Sequence, residues 1–390
     1  MLTQEENDLL TRVSPGTPAG DLLRRYWHVA AAAAELTDAK PKKRVRILGE
    51  NLILYRDKSG NYGLVAEKCS HRGVSLYYGF VEPDGIRCAY HGWKYDACGN
   101  CIDQPFENPD AGFKDKIHHP AYPVEKLGGL LFTYMGPPEK KLLLPKWDVL
   151  VRQDGGKKID VCETLRCNWL QAMENSVDPT HTYFLHSHTL KLKGNPDHVP
   201  FHYRMVSKID FDLVVYPNWA GIQKQRIFAD ESAPAETPHP LVFPNILFVP
   251  VRIGYAMHFR TPVDDQTTQV YQFRFSPSKD GKTVEQPEDT PVEYVGTTDE
   301  HGDFHMDNFT SQDHMAWETQ GPLADRSKEH LAEGDRGVVM YRKLLREQIN
   351  AVLNGIDPIG VNFDPSQDEV IKLIHEDGYD AYSFAAARAG

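Results

Sequence analysis

Apolar side chains recur at changing periods along the chain, and the changes mark its elements. Thr3 and Glu6 form a capping-box pattern before Leu9 and Leu10, which predicts a short opening helix. Ser14-Pro15-Gly16-Thr17-Pro18 breaks it, and Asp21 can cap a second helix through Leu22 to Trp27. From Arg44 the period falls to two. Val45, Ile47, Leu52, Leu54 and Tyr55 alternate or cluster as strands around a Gly49-Glu50-Asn51 turn. A turn over 57–61 leads into a strand over 62–66, and further strands run from Trp93-Lys94-Tyr95 as far as Tyr134. Gly136-Pro137-Pro138, followed by Glu139-Lys140-Lys141, is the best domain boundary.

Beyond that boundary a strand is expected over 158–165 and a helix over 168–175. Alternating segments at 204–215, 221–228, 241–250, 255–261 and 268–275 predict an antiparallel sheet. The stretch 276–303, rich in Pro, Gly and acids, is expected to be a surface loop. Helices follow from Asp313 to Trp317 and over 337–354, and a segment at 368–375 closes the chain. The pattern gives an α+β protein in three parts. Residues 1–39 form an N-terminal helical segment packed on a catalytic domain at 137–390, and 40–136 form a small antiparallel β-domain.

Composition narrows the class. A hydrophobic content of 41% and an aromatic content of 11% support packed domains and exclude disorder. Lys+Arg 43 against Asp+Glu 55 leaves −12, which argues against nucleic acid and anionic membrane surfaces as partners. No apolar run reaches the length of about eighteen residues that a membrane span needs. The start, MLTQEENDLL, has an acidic flank where a secretory signal needs a basic one. Six cysteines without that signal point to a reducing cytoplasm, where thiols bind metal or pack.

Candidate chemistry concentrates in two places. Cys69-Ser70-His71 is followed after sixteen residues by Cys88-Ala89-Tyr90-His91. Two thiolates and two imidazoles suit a mixed-ligand [2Fe–2S] centre, with both Cys on one iron and both His on the other. Zinc also takes Cys₂His₂, but zinc fingers keep like ligands together, whereas each half here carries one of each. Cys98-Gly99-Asn100-Cys101 has no second C-x-x-C and no βαβ pattern, so it reads as two thiols near a tight turn.

The second place is Asp178-Pro179-Thr180-His181-Thr182-Tyr183-Phe184-Leu185-His186. Two histidines near carboxylates are half of a 2-His-1-carboxylate triad, the site of non-haem Fe(II) oxygenases. Five residues span about 140° of a regular helix, so His181 and His186 cannot both face one metal from it. A break or π-type bulge is therefore predicted here. Alone the pattern is weak; beside the cluster motif it becomes strong.

These residues carry a family resemblance. The chain resembles the oxygenase (α) subunit of Rieske non-haem iron aromatic-ring oxygenases, in the branch of phthalate dioxygenase and vanillate O-demethylase. The marks are Cys69-x-His71, Cys88-x-x-His91-Gly92-Trp93, Asn168-Trp169, Asp178-x-x-His181-x₄-His186 and Gln312-Asp313, spread over nearly the whole chain. The resemblance implies a helix-grip catalytic domain, a curved antiparallel sheet with helices. It implies a Rieske cluster on Cys69, His71, Cys88 and His91, and a mononuclear Fe(II) on His181, His186 and Asp313. Glu318, Asp325 and Asp335 are alternatives to Asp313, while His188 and His314 fit no ligand position. It also implies a homotrimer in which Asp178 bridges a cluster histidine and an iron-bound histidine of neighbouring subunits. A separate reductase, alone or with a ferredoxin, would bring electrons from NAD(P)H, and O₂ would oxidise an aromatic acid by hydroxylation or oxidative O-demethylation. Cis-dihydroxylation is the alternative outcome. A Rieske electron carrier without oxygenase activity and a non-enzymatic ligand-binding sheet are the readings from other classes. Val206, Trp219, Ile222, Phe243, Ile246 and Phe248 are candidate pocket residues that ordinary core packing also explains. Of the strand cations Arg204, Lys208, Lys224, Arg226, Arg252, Arg260 and Arg274, one could bind a substrate carboxylate and most are expected on a solvated face.

Overall fold

The computed structural model describes residues 2–189, 205–229, 238–251 and 254–374. Among them, eight strands form the largest sheet: β1 (Gly155–Cys162), β2 (Val206–Tyr216), β3 (Trp219–Phe228), β4 (His239–Val242), β5 (Ile246–Val251), β6 (Gly254–Pro262), β7 (Thr268–Pro277) and β8 (Val292–Val295). Their order is β2-β3-β4-β5-β6-β7-β1-β8, antiparallel throughout except for the last pair. Alternation sorts the side chains between the two faces. Ile159, Val161, Phe248, Met257, Phe259, Tyr271, Phe273 and Phe275 form one face. They pack against a three-stranded sheet of Trp27–Ala32, Leu130–Tyr134 and Val124–Leu127, which contributes Trp27, Val29, Leu130 and Phe132.

The other face meets the helices. These are α1 (Gln4–Thr11), α2 (Pro18–Leu23), α3 (Trp169–Ser176), α4 (Phe309–Glu318) and α5 (Arg336–Leu353). Leu170 and Met173 of α3, Tyr341 and Leu345 of α5, and Leu10 and Leu22 share a core with Ile222 and Leu241 of the sheet. Full burial of each such side chain contributes roughly 1.5–3 kcal/mol. The capping box at α1 forms as expected: Glu6 N–H donates to Thr3 Oγ1 at 3.1 Å, and Thr3 N–H to Glu6 Oε2 at 2.9 Å. Asn168 caps α3 through Leu170 N–H, and its amide donates to Thr11 O at 3.0 Å and Asp265 O at 2.8 Å. That one residue starts α3 and moors it to α1.

Two four-stranded antiparallel sheets make the small β-unit. One holds Lys42–Ile47, Glu50–Arg56, Tyr62–Ala66 and Ala121–Tyr122, and the other Phe80–Glu82, Gly85–Arg87, Lys94–Tyr95 and Cys101–Asp103. No helix among the described residues is long and apolar enough to cross a membrane.

Several expectations need correction. The second helix stops at Leu23, and Trp27–Ala32 is instead a strand paired with Leu130–Tyr134. Tertiary pairing overrides the helix preference of its alanines. The single strand expected over 241–250 is two, β4 and β5, divided where Pro244 has no N–H to give a ladder. The expected loop 276–303 contains β8, which pairs in parallel with β1. Lys224, Arg226 and Arg260 are buried rather than solvated. Core packing, the alternative given for the candidate pocket residues, is what Trp219, Phe248, Ile222 and Phe243 show, and Ile246 packs against that core. Arg204, Arg252 and His375 lie outside the described residues.

A buried ion network fixes α3 from behind. Glu174 accepts from Arg326 Nη2 at 2.8 Å and from Arg342 Nε at 2.6 Å, and Arg342 Nη2 reaches Glu329 at 2.8 Å. Burial pushes the Glu174 carboxyl up, yet the two guanidiniums outweigh it and hold the pKa below its ordinary value. Glu174→Ala leaves buried Arg326 without a carboxylate and Arg342 with Glu329 alone, and is expected to destabilise the protein by about 3–5 kcal/mol in denaturant unfolding. A loss below about 1 kcal/mol, the scale of a surface pair, would refute the network's importance.

Candidate metal centres

Each cluster motif folds into the same small loop. Gly73 N–H donates to Cys69 O at 2.8 Å, and Gly92 N–H to Cys88 O at 3.1 Å. Both glycines take the left-handed conformation that closes the loop, with φ of 75° and 74°. Cys69 and Cys88 are buried free thiols, while His71 and His91 are half-exposed, with ring centroids 4.5 Å apart. His71 stacks on Trp93 at 4.4 Å, and Cys69 Sγ lies 3.2 Å from the Tyr95 hydroxyl. Burial pushes the Cys69 thiol up, and neighbouring Cys88 adds to it. His71 Nδ1 is buried with no hydrogen-bond partner. Two buried thiols and an unsatisfied imidazole nitrogen at paired loop tips fit the ligand set of a mixed-ligand [2Fe–2S] cluster.

Cys98 is exposed and Cys101 buried, both free, and Asp96 Oδ1 accepts from the N–H groups of Cys98 and Asn100 to form the turn between them. The C-x-x-C is a turn feature.

Thr182–His188 is a π-helix, in which the fifth residue on closes the turn. His181 and His186, five apart, therefore share a face. His181, His186 and Asp313 bring one ligand atom each to within 4.8 Å of one another. Asp313 Oδ1 stands 3.4 Å from His186 Nε2 and 3.7 Å from His181 Nε2. His186 Nδ1 donates to Gln312 Oε1 at 2.8 Å, and His181 Nδ1 donates to the Asp178 carbonyl. These bonds put both protons on Nδ1 and leave both Nε2 atoms as acceptors. Asp313 Oδ1 is itself buried with no hydrogen-bond partner. Three acceptors facing one point suit a cation between them, and two imidazoles with one carboxylate suit Fe(II).

Burial pushes the Asp313 carboxyl up, but His186, His181 and Arg260 overcome it and hold the pKa at about 2. Burial lowers His181, whereas Asp313 raises His186 despite burial. The alternatives to Asp313 are engaged elsewhere: Glu318 with Arg166, Asp325 with Lys328, and Asp335 with the Ala332 N–H. His188 is exposed, and His314 is buried 5.4 Å from the Trp317 ring. The Asp178 carboxylate accepts from Thr180 N–H at 2.9 Å and lies 3.9 Å from His181 Nδ1. Composition gave no role to Gln312; its place beside Asp313 was the available signal.

The family model for the Rieske [2Fe–2S] domain matches residues 26–124, and one described as LigXa C-terminal domain like matches 296–373. A 5,5'-dehydrodivanillate O-demethylase oxygenase subunit from a Sphingobium species is 40% identical over 97% of this chain and 88% of its own. A phenoxybenzoate dioxygenase subunit alpha from Ectopseudomonas oleovorans is 35% identical over 93% of this chain and 89% of its own. The terminal oxygenase of carbazole 1,9a-dioxygenase from Nocardioides aromaticivorans superposes with a TM-score of 0.64 at 21% identity, covering 89% of this chain and 97% of that one, a likeness of fold. A Rieske domain joined to a sheet-and-helix domain whose helices gather two histidines and an aspartate defines a class, the Rieske non-haem iron oxygenases. This chain belongs to that family as an oxygenase subunit of the branch holding the O-demethylase and phenoxybenzoate enzymes. It is an oxidoreductase whose cofactors are a Rieske cluster and a mononuclear iron.

Gln312→Leu removes the acceptor that sets the His186 tautomer. Fe(II) titration of metal-free protein is expected to show affinity about 10- to 100-fold weaker, and an unchanged titration would remove Gln312 from the site.

Proposed function

We propose that this chain is the terminal oxygenase of a cytoplasmic system that oxidises an aromatic carboxylic acid. The observation that carries it is the convergence of His181, His186 and Asp313 within 4.8 Å in a chain that also holds a Rieske domain. Relatives named for dehydrodivanillate and phenoxybenzoate, both aromatic carboxylates, support the substrate class. Oxidative O-demethylation or hydroxylation is the first reading, since the 40% identical relative is named a demethylase. Cis-dihydroxylation is the second, supported by the dioxygenase name of the 35% identical one.

Cys69, Cys88, His71 and His91 would hold the cluster, the thiolates on one iron and the imidazoles on the other, and His181, His186 and Asp313 would hold Fe(II). When bound, these groups supply stored electrons and O₂ activation. The chain's own residues do the rest. Gln312 and the Asp178 carbonyl keep both imidazoles aimed at the metal position. Asp178 keeps a partly exposed carboxylate, 27% accessible, which suits a hydrogen bond from a cluster histidine of a neighbouring chain in a homotrimer. A reductase drawing on NAD(P)H, with or without a ferredoxin, is the electron donor.

Iron analysis is expected to give three irons per chain, and two in His181→Ala or His186→Ala. Two in the wild type would leave an electron carrier. Asp178→Asn should keep three irons while coupled turnover falls about 10- to 100-fold or more; normal turnover would end the bridging role. With labelled O₂, one labelled atom and released formaldehyde mean demethylation, and two labelled atoms in a cis-diol mean dioxygenation.

A further inference from the structure

The sheet face toward α3 and α4 changes character along a single transverse row. Strand register aligns Leu241 of β4 with Leu247 of β5, Leu247 with His258 of β6, His258 with Gln272 of β7, and Gln272 with Asp160 of β1. Two of these five positions are apolar and three are polar. His258 is half-buried, although its neighbours Met257 and Phe259 are 0% and 3% exposed on the opposite face. Its ring makes no hydrogen bond, ion pair or ring contact among the described residues. Two positions along the same strand face, Arg260 runs under Ala172 and Ser176 of α3 and lies 4.8 Å from the Trp317 ring of α4. His258 is thus one step, roughly 7 Å of strand, from the side chain that touches both α3 and the Asp313-bearing helix α4. Trp317 follows Asp313 by four residues on α4, about one helical turn, so this face of the sheet lies toward the third candidate ligand.

We propose that His258 is a specificity-determining residue that hydrogen-bonds the carboxylate of the aromatic substrate, whose ring lies over Leu247. The proposal rests on the aromatic-acid reading above and deepens it. Burial, then Arg260 and Arg274, lower the imidazole pKa to about 3, so the ring is neutral near pH 7 and offers one N–H donor. Asp160 pairs with Arg274, whereas Arg260 has no ion pair with any carboxylate among the described residues. Asp313 answers Arg260 only in part, and the buried guanidinium one step from His258 still favours an anionic oxygen at this face. Leu247, 8% exposed and outside the main core clusters, supplies the apolar floor beside it.

The test measures binding of phenoxybenzoate and of uncharged diphenyl ether to the metal-loaded oxygenase by calorimetry, with steady-state turnover alongside. His258→Ala is expected to weaken phenoxybenzoate binding about 10- to 100-fold and to raise KM more than it lowers kcat. Diphenyl ether binding and three irons per chain should stay unchanged. His258→Gln, which keeps an N–H donor, should recover part of the loss and also serves if the alanine variant does not fold. Leu247→Ala should weaken both ligands alike. Wild-type affinity for the acid in His258→Ala, or equal loss for both ligands, overturns the assignment of His258. If the wild type binds no aromatic acid, the proposed function falls first, and this assignment with it.

Discussion

The guanidinium of Arg260 joins the two helices on which the iron site depends. It is 1% exposed, donates to Ala172 O and Ser176 Oγ of α3, and lies over Trp317 of α4. A buried cation is costly unless its surroundings answer it. Here a carbonyl, a hydroxyl and an indole face answer part of it, while Nε has no partner. Burial lowers the Arg260 pKa to about 10, Asp313 on α4 offsets part of that burial, and Arg260 in turn helps keep Asp313 ionised. The ligand carboxylate and the helix brace are one electrostatic unit. Fixing the angle between α3 and α4 and keeping the third ligand charged are not separate tasks in this fold.

Backbone geometry then delivers the remaining ligands. An α-helix would turn His181 and His186 about 140° apart, so the chain adopts a π-helix and gives up regular hydrogen bonding for convergence. In the small β-unit the equivalent device is the glycine that closes each loop, Gly73 and Gly92, where a side chain would strain the positive φ. Both sites buy convergent donors with locally irregular backbone. In each, hydrogen bonds to the ligands or their loops hold that irregularity in place.

Sequence spacing revealed much of this because the chemistry leaves few alternatives. A C-x-H pair followed by C-x-x-H has few other uses, and a five-residue histidine interval demands a distorted helix. Asp313 was harder. Four acids between 313 and 335 were eligible, and only burial beside two imidazoles, against ion pairs or capping at Glu318, Asp325 and Asp335, separates it from the rest. The strand at Trp27–Ala32 was hidden because Ala30-Ala31-Ala32 favours helix locally and is held extended by Leu130–Tyr134, a hundred residues away. Arg260 and Lys224 were misread for the same reason. Alternation puts them on a face, but which face is covered depends on helices that sequence pattern alone does not dock.

Strand β6 shows how the two halves of the molecule constrain one another. Met257 and Phe259 lock one face of it into the core shared with Phe132 of the three-stranded sheet, where Phe132 and Phe259 meet edge to face at 5.4 Å. His258 and Arg260 leave the other face toward the metal triad. Because the side-chain period is two, neither set can move without the other. The apolar contact with the sheet that leads out of the Rieske domain therefore sets the height of Arg260 under α3 and α4. Leu48, Leu52, Leu54 and Leu64 of the small β-unit join α3 and α5 in one core with Leu170, Met173 and Tyr341, and neither core contains a metal ligand.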